Sequence, residues 1–177
     1  MNTREKAKGE LISFIKGDSR CILLTGTHQY EKHPLVMQTL HETYNNAKIL
    51  FRINSLSNIT DRPFLGKYLE KQPKAGEPVR IGHNTYFFDS FTNRGTWGKS
   101  GNVDFAIVYP IDAVARGDVK LECIETLIAN ININKIFLIS WTDGDKDYGI
   151  FDKYIDNKVV YDAEEEDLAY HKRVLEL

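Results

Sequence analysis

Apolar residues along this chain gather in short unbroken runs, separated by stretches with helical spacing. "RCILLTG" at 20–26, "AKILFRI" at 47–53, "VDFAIVYPID" at 103–112 and "NKIFLISW" at 134–141 do not alternate with polar residues. That is the pattern of strands buried on both faces. "NKVVYDA" (157–163) reads as a further strand. Leu11, Ile12 and Ile15 share one side of a helix over 4–16, which Gly17-Asp18 ends. Val36, Met37, Leu40 and Tyr44 give a second helix one apolar face. Pro34 suits its first turn, where a missing N–H costs nothing. Leu121, Ile124, Leu127, Ile128 and Ile131 form a third stripe, with Asp118 placed to cap it. The ending "EEEDLAYHKRVLEL" sets acids before bases, as the dipole of a terminal helix favours.

Two stretches depart from this rhythm. "PVRIGHNTYFFDSF" reads as a hairpin turning at His83-Asn84. Residues 54–77 hold a short helix around Phe64–Glu70, between Pro63 and Pro73. The alternation as a whole predicts an α/β fold: a three-layer domain with a mainly parallel central sheet flanked by helices, plus a β-hairpin insertion. With 177 residues and 42% hydrophobic content, one core and one domain over 1–177 are expected.

Charge narrows the partners. Charged residues make up 27% of the chain at a net charge of -2, which argues against a dominant nucleic-acid-binding surface. Cys21 and Cys123 have no C-x-x-C spacing and read as reduced core thiols. The N-terminus lacks a signal-peptide apolar region, and no run approaches the roughly eighteen apolar residues of a membrane span. A cytoplasmic protein with no membrane partner is the expectation.

The candidate chemistry lies where the first apolar run meets the second helix, in "TGTHQYEKHP". In open α/β sheets, ligands sit beyond the carboxyl ends of strands and often at a helix N-terminus, whose N–H groups and partial positive charge suit an anion. Lys32 adds a full charge there. The loop Gly26-Thr27-His28-Gln29-Tyr30-Glu31-Lys32-His33 resembles the phosphate loop of the P-loop nucleoside triphosphatase superfamily, G-x-x-x-x-G-K-[ST], in its spacing and in its strand–loop–helix setting. It departs at two places. Glu31 stands for a glycine that lets the backbone wrap the phosphates, and His33 for the Ser/Thr hydroxyl that holds magnesium. The resemblance implies that Gly26–His33 bind ATP or another nucleoside triphosphate, with Lys32 stabilising charge on the phosphates. It also implies an acid at the end of an apolar strand to position magnesium. Asp112, just past "FAIVYP", is the candidate for that catalytic and metal-binding role; capping a turn is the competing reading, and Asp89 is a substitute candidate.

Other constellations weigh less. "NRGTWGKSG" (93–101) holds an intact Gly98-Lys99-Ser100, but a strand follows it rather than a helix. Asp143, Asp145 and Asp147 alternate in "WTDGDKDYG"; the glycine falls one position late for a calcium loop, and a solvated turn is the stronger reading. His28 and His33 share the candidate loop without a third ligand for zinc. Trp97 and Trp141 sit near loops, where large aromatics either pack or line a pocket. The function expected is therefore nucleotide binding of the NTPase type through a degenerate phosphate loop, with the lost hydroxyl arguing against vigorous hydrolysis or phosphoryl transfer. Two other readings stand beside it. One is a noncatalytic protein-interaction module that keeps the nucleotide-binding architecture; the other is a nucleic-acid accessory using Arg52, Arg62, Arg94 and Lys99.

Overall fold

The computed structural model describes residues 1–142 and 147–177. The chain begins with α1 (Arg4–Lys16), β1 (Cys21–Thr25), α2 (Lys32–Thr43) and β2 (Lys48–Ile53). The hairpin strands β3 (Val79–Ile81) and β4 (Asn84–Ser90) follow. The second half runs β5 (Phe105–Tyr109), α3 (Asp112–Ala115), α4 (Glu122–Ala129), β6 (Lys135–Ile139), β7 (Asn157–Val160) and α5 (Leu168–Leu175). Among the described residues the strands form one sheet in the order β3-β4-β2-β5-β6-β1-β7. Every neighbouring pair is parallel except β3 with β4.

The unbroken apolar runs are explained by two cores. Successive side chains of a strand point to opposite faces. Ile22 and Leu24 of β1, with Ile49, Phe51, Ile107 and Phe137, pack beneath Leu11 and Phe14 of α1 and Leu35, Val36 and Leu40 of α2. Cys21 and Leu23, with Leu50, Val108, Ile136 and Leu138, face the other way onto Cys123, Ile124 and Leu127 of α4. The result is the three-layer arrangement expected of a sheet covered on both sides. No helix among the described residues is long and apolar enough to cross a membrane.

The hairpin is an integral part of the sheet rather than an appendage. β4 pairs with β2 from Lys48↔Thr85 to Ile53↔Ser90. Its turn falls one residue earlier than the letters suggest, with Ile81 opposite Asn84, so Gly82 and His83 make it. Gly82 has φ +58°, and a Cβ there would come within 2.0 Å of the His41 ring. Residues 64–70 are a chain of turns instead of a helix. The Leu65 N–H reaches back to the Ile59 carbonyl and Gly66 to Asp61, and a Cβ at Gly66 would meet the Thr60 oxygen at 2.6 Å. Asp118 does not cap α4; its carboxylate accepts from Arg116 at 2.9 Å, and the helix starts at Glu122 without a side-chain cap.

One charged pair lies inside the second core. Arg52 of β2 sits opposite Asp89 of β4 and donates twice to its carboxylate, at 2.8 and 2.7 Å. It also donates to the Cys123 carbonyl at 2.7 Å and the Thr126 hydroxyl at 3.1 Å, and it lies over the Trp97 ring at 4.5 Å. Both residues are 2% exposed. Asp89 is therefore occupied as Arg52's counter-ion. Arg52→Met should destabilise the protein by about 3–5 kcal/mol in urea unfolding, because it strands a buried carboxylate. Adding Asp89→Leu should recover most of that loss. If the double variant is no more stable than the single one, the pair is not the source of the effect.

Candidate functional site

β1 delivers the chain to Gly26 at the carboxyl edge of the sheet. Gly26 has φ +119°, and a Cβ there would lie 2.0 Å from the carbonyl oxygen of Tyr161, just past β7. Only glycine fits both the conformation and the approach. Six residues later α2 begins with Lys32, which is completely buried. Its ammonium donates to the Gly26 carbonyl and, at 3.2 Å, to the carbonyl of Trp141 on the chain leaving β6. The N–H of Trp141 in turn donates to Asp112 Oδ2 at 2.6 Å. Lys32 and Asp112, far apart in sequence, thus meet around one peptide segment at the ends of the adjacent strands β1, β6 and β5.

His33 follows Lys32 and is 1% exposed. Its Nε2 donates to the Phe64 carbonyl at 2.7 Å, which fixes the proton on that nitrogen and leaves Nδ1 as a buried acceptor with no partner among the described residues. The ring stacks on Tyr109 at 4.2 Å and meets Phe51 edge-on. Burial pushes its pKa down to about 3, with the charges of Lys32 and Lys67 acting in the same direction against the Phe64 carbonyl. At neutral pH it is an uncharged aromatic. β5 ends not in an acid but in this same Tyr109, whose hydroxyl donates to the carbonyls of Pro63 (3.2 Å) and Gln29 (3.4 Å). Burial holds the Tyr109 hydroxyl well above the usual phenol range.

Asp112 opens α3 and is 6% exposed. Besides Trp141, its carboxylate accepts from the Thr142 N–H (3.1 Å), the Thr142 hydroxyl (3.2 Å) and the Tyr148 hydroxyl (3.2 Å). It caps the turn that leaves β6. No group of three His, Cys, Asp or Glu side chains suited to a metal occurs among the described residues. Of the alternating aspartates, Asp143 and Asp145 lie outside the described residues, and Asp147 accepts from the Gly149 N–H at 2.8 Å.

The first half of the loop is bound to the segment after β7. The Thr27 N–H donates to Asp162 Oδ1 at 2.9 Å, the His28 N–H to the Tyr161 carbonyl at 3.2 Å, and the Gln29 N–H to the Tyr170 hydroxyl at 3.3 Å. Side chains repeat the pairing: Thr27 with His171 (2.7 Å), His28 with Glu166 (2.5 Å), and Gln29 Oε1 with Tyr170 (2.9 Å). Sequence reasoning missed these partners, since contacts spanning more than 130 positions leave no local signal. Glu31 turns outward to Lys67 at 3.0 Å, so the loop's extra carboxylate already has a cation. Tyr30 is 42% exposed with its ring edge-on to Trp141. It borders an open cavity of about 430 Å³ together with His28, Phe64, Arg62 and Lys67.

The remaining candidates fall away from this site. Gly98-Lys99-Ser100 lie in a turn that leads to β5 and open no helix. Arg94 pairs with Glu122, and Arg52 is buried against Asp89, so two of the four cations of the nucleic-acid reading are committed elsewhere. Burial pushes the Cys21 thiol up to about 12 and Cys123 up to about 11, which leaves neither a nucleophile at neutral pH.

His33 makes a pH prediction with a definite sign. Unfolded, it takes a proton near its ordinary value of 6.5; folded, it resists until about 3. Between those values the unfolded state binds more protons, so the His33 contribution to stability is complete above about 6.5 and falls as pH drops. Relative to His33→Phe, the wild type should lose up to about 1.4 kcal/mol per pH unit in urea melts between pH 6 and pH 4. Parallel pH curves for the two proteins would mean that His33 is solvated.

No family model matches the chain, and no curated protein matches it. Solved structures do. A crystal structure of the large terminase from a thermophilic bacteriophage superposes with a TM-score of 0.59 at 12% identity, covering 96% of this chain and 48% of the terminase. The same terminase in complex with ADP gives 0.56 at 13% identity, again over 96% and 48%. The chain spans about half the length of these neighbours. At such identities the likeness is one of fold alone: a mainly parallel sheet between helices.

Proposed function

We propose that this chain is a nucleotide-binding module of P-loop-like architecture that holds a nucleoside triphosphate, with ATP the first candidate, and does not carry out magnesium-dependent hydrolysis. Binding is supported by Lys32, held at the start of a twelve-residue helix by two carbonyls, and by the ADP complex among the structural neighbours. The anion is met first by the second half of the loop, where α2 begins, because the first half is bonded to the chain after β7. Lys32 is the charge partner of the phosphates, and Tyr30 lies beside it at the surface.

The single observation that carries the noncatalytic half is the packing of His33. The side chain at the magnesium-holding position is a neutral ring stacked on Tyr109. A magnesium ion needs oxygen ligands in near-octahedral geometry, and this corner of the site is filled with aromatic carbon. The Asp112 carboxylate is committed to Trp141, Thr142 and Tyr148. Phosphoryl transfer depends on a positioned metal more than binding does. The terminase likeness spans half of those proteins' length, so it lends the fold and the nucleotide and nothing further.

Calorimetric titration with ATP tests this. Affinity should change less than tenfold, about 1.4 kcal/mol, when magnesium is added. Lys32→Met, which keeps the aliphatic stem, should weaken binding about ten- to a hundredfold, the worth of a charge-assisted hydrogen bond of roughly 1.5–3 kcal/mol. Phosphate release should stay at background. A tenfold or larger tightening by magnesium, or magnesium-dependent turnover lost in Asp112→Asn, contradicts the noncatalytic assignment. Binding unaffected by Lys32→Met contradicts the site.

A further inference from the structure

We propose that the segment Asp162–His171 is a built-in clamp, which competes with phosphate for the Gly26–His33 loop and must loosen when the loop is loaded. The inference rests on the reading of that loop as a phosphate site. Phosphate loops work by turning successive backbone N–H groups toward one anion. Here the N–H groups of Thr27, His28 and Gln29 are spent on the chain after β7, and the first of them meets a carboxylate, Asp162, at 2.9 Å. The molecule therefore supplies its own anion to the loop. Asp162 is held in place by Asn2, which donates to its other oxygen at 2.8 Å.

The clamp is polar where a structural helix would be apolar. α5 buries Val174 but leaves Leu168 51% and Leu175 55% exposed. What joins α5 and its approach to the body at this end is a set of hydrogen bonds with the loop. Tyr170 bonds both the N–H and the side chain of Gln29, His171 bonds the Thr27 hydroxyl, and Glu166 bonds His28. Ala163 adds its N–H to the same Thr27 oxygen at 3.0 Å. Tyr161 and Ala163 are different: both are buried, and with Tyr161 against Gly26 they mark the fixed end of the clamp. An element held by few apolar contacts opens at low free energy. Because its partners are the loop's own donors, opening of the clamp and filling of the loop are linked, and linkage is reciprocal.

The test uses the whole chain, with inorganic pyrophosphate as the probe so that no base contact intervenes. Tyr170→Phe combined with His171→Ala removes three clamp contacts without touching a core residue, and Asp162→Asn removes the internal charge separately. Pyrophosphate should bind each variant about five- to a hundredfold more tightly than the wild type. Amide hydrogen exchange at Thr27 and Gln29 should quicken in the double variant while β1 stays protected. Saturating the wild type with pyrophosphate should quicken exchange in α5. If the wild type binds pyrophosphate through Lys32 and neither variant binds it more tightly, the clamp is refuted and the phosphate site stands. If neither the wild type nor the loosened variants bind pyrophosphate, both the clamp and the phosphate-site reading fail.

Discussion

A buried ammonium must be met by oxygen, and the carboxyl edge of this sheet is arranged around that requirement. Lys32 has no exposure to water. Its charge is met by the carbonyls of Gly26 and Trp141. That single side chain fixes the curvature of the loop after β1 and pins the chain leaving β6 to it. The Trp141 N–H then reaches Asp112, so the exits of three adjacent strands are joined. Leaving a charge unpaired in such a place costs several kcal/mol, which makes the positions of Gly26, Trp141 and Asp112 mutually dependent.

Beside this polar chain lies an aromatic one. His33 stacks on Tyr109, Tyr109 on Trp141, and Phe64 contacts both Tyr109 and Trp141. The two positions that a magnesium site needs, one at the start of α2 and one at the end of β5, are filled by rings that pack on each other. The changes are complementary: a hydroxyl opposite Tyr109 would leave a gap, and an acid opposite His33 would bury an unpaired charge. Local packing fills this corner with rings. Lys32, on which the proposed binding rests, is still present at the start of α2.

The sheet was legible because β1, β2, β5 and β6 are buried on both faces and so carry unbroken apolar runs, each recognisable within its own letters. α1 was legible to the residue because Gly17 stops it. That Lys32 and Asp112 lie on the same edge was legible in outline, since they follow β1 and β5, two parallel strands that flank β6. What the letters hid was non-local. Nothing near Asp162, Glu166 or Tyr170 announces that their partners are Thr27, His28 and Gln29. Asp167 does cap α5, accepting from the Tyr170 N–H at 2.9 Å, but Glu166 before it bonds His28 of the loop. Residues 64–70 misled because buried Leu65 and Leu69 have helical spacing while the N–H groups of Leu65 and Gly66 reach back to Ile59 and Asp61. Tyr109 gave no warning either; an aromatic at a strand end is ordinary until the residue stacked on it is known.

The proposal assigns phosphate binding to Lys32 beside a corner filled by the His33–Tyr109 stack. A crystal structure of the protein grown with a non-hydrolysable ATP analogue and magnesium tests it most directly. The account predicts phosphate oxygens against the Lys32 ammonium, with any metal held by phosphate and water alone and with the His33–Tyr109 stack intact. A magnesium ion bonded to Asp112, freed from Trp141 and Thr142, would contradict it, as would a nucleotide bound away from Lys32.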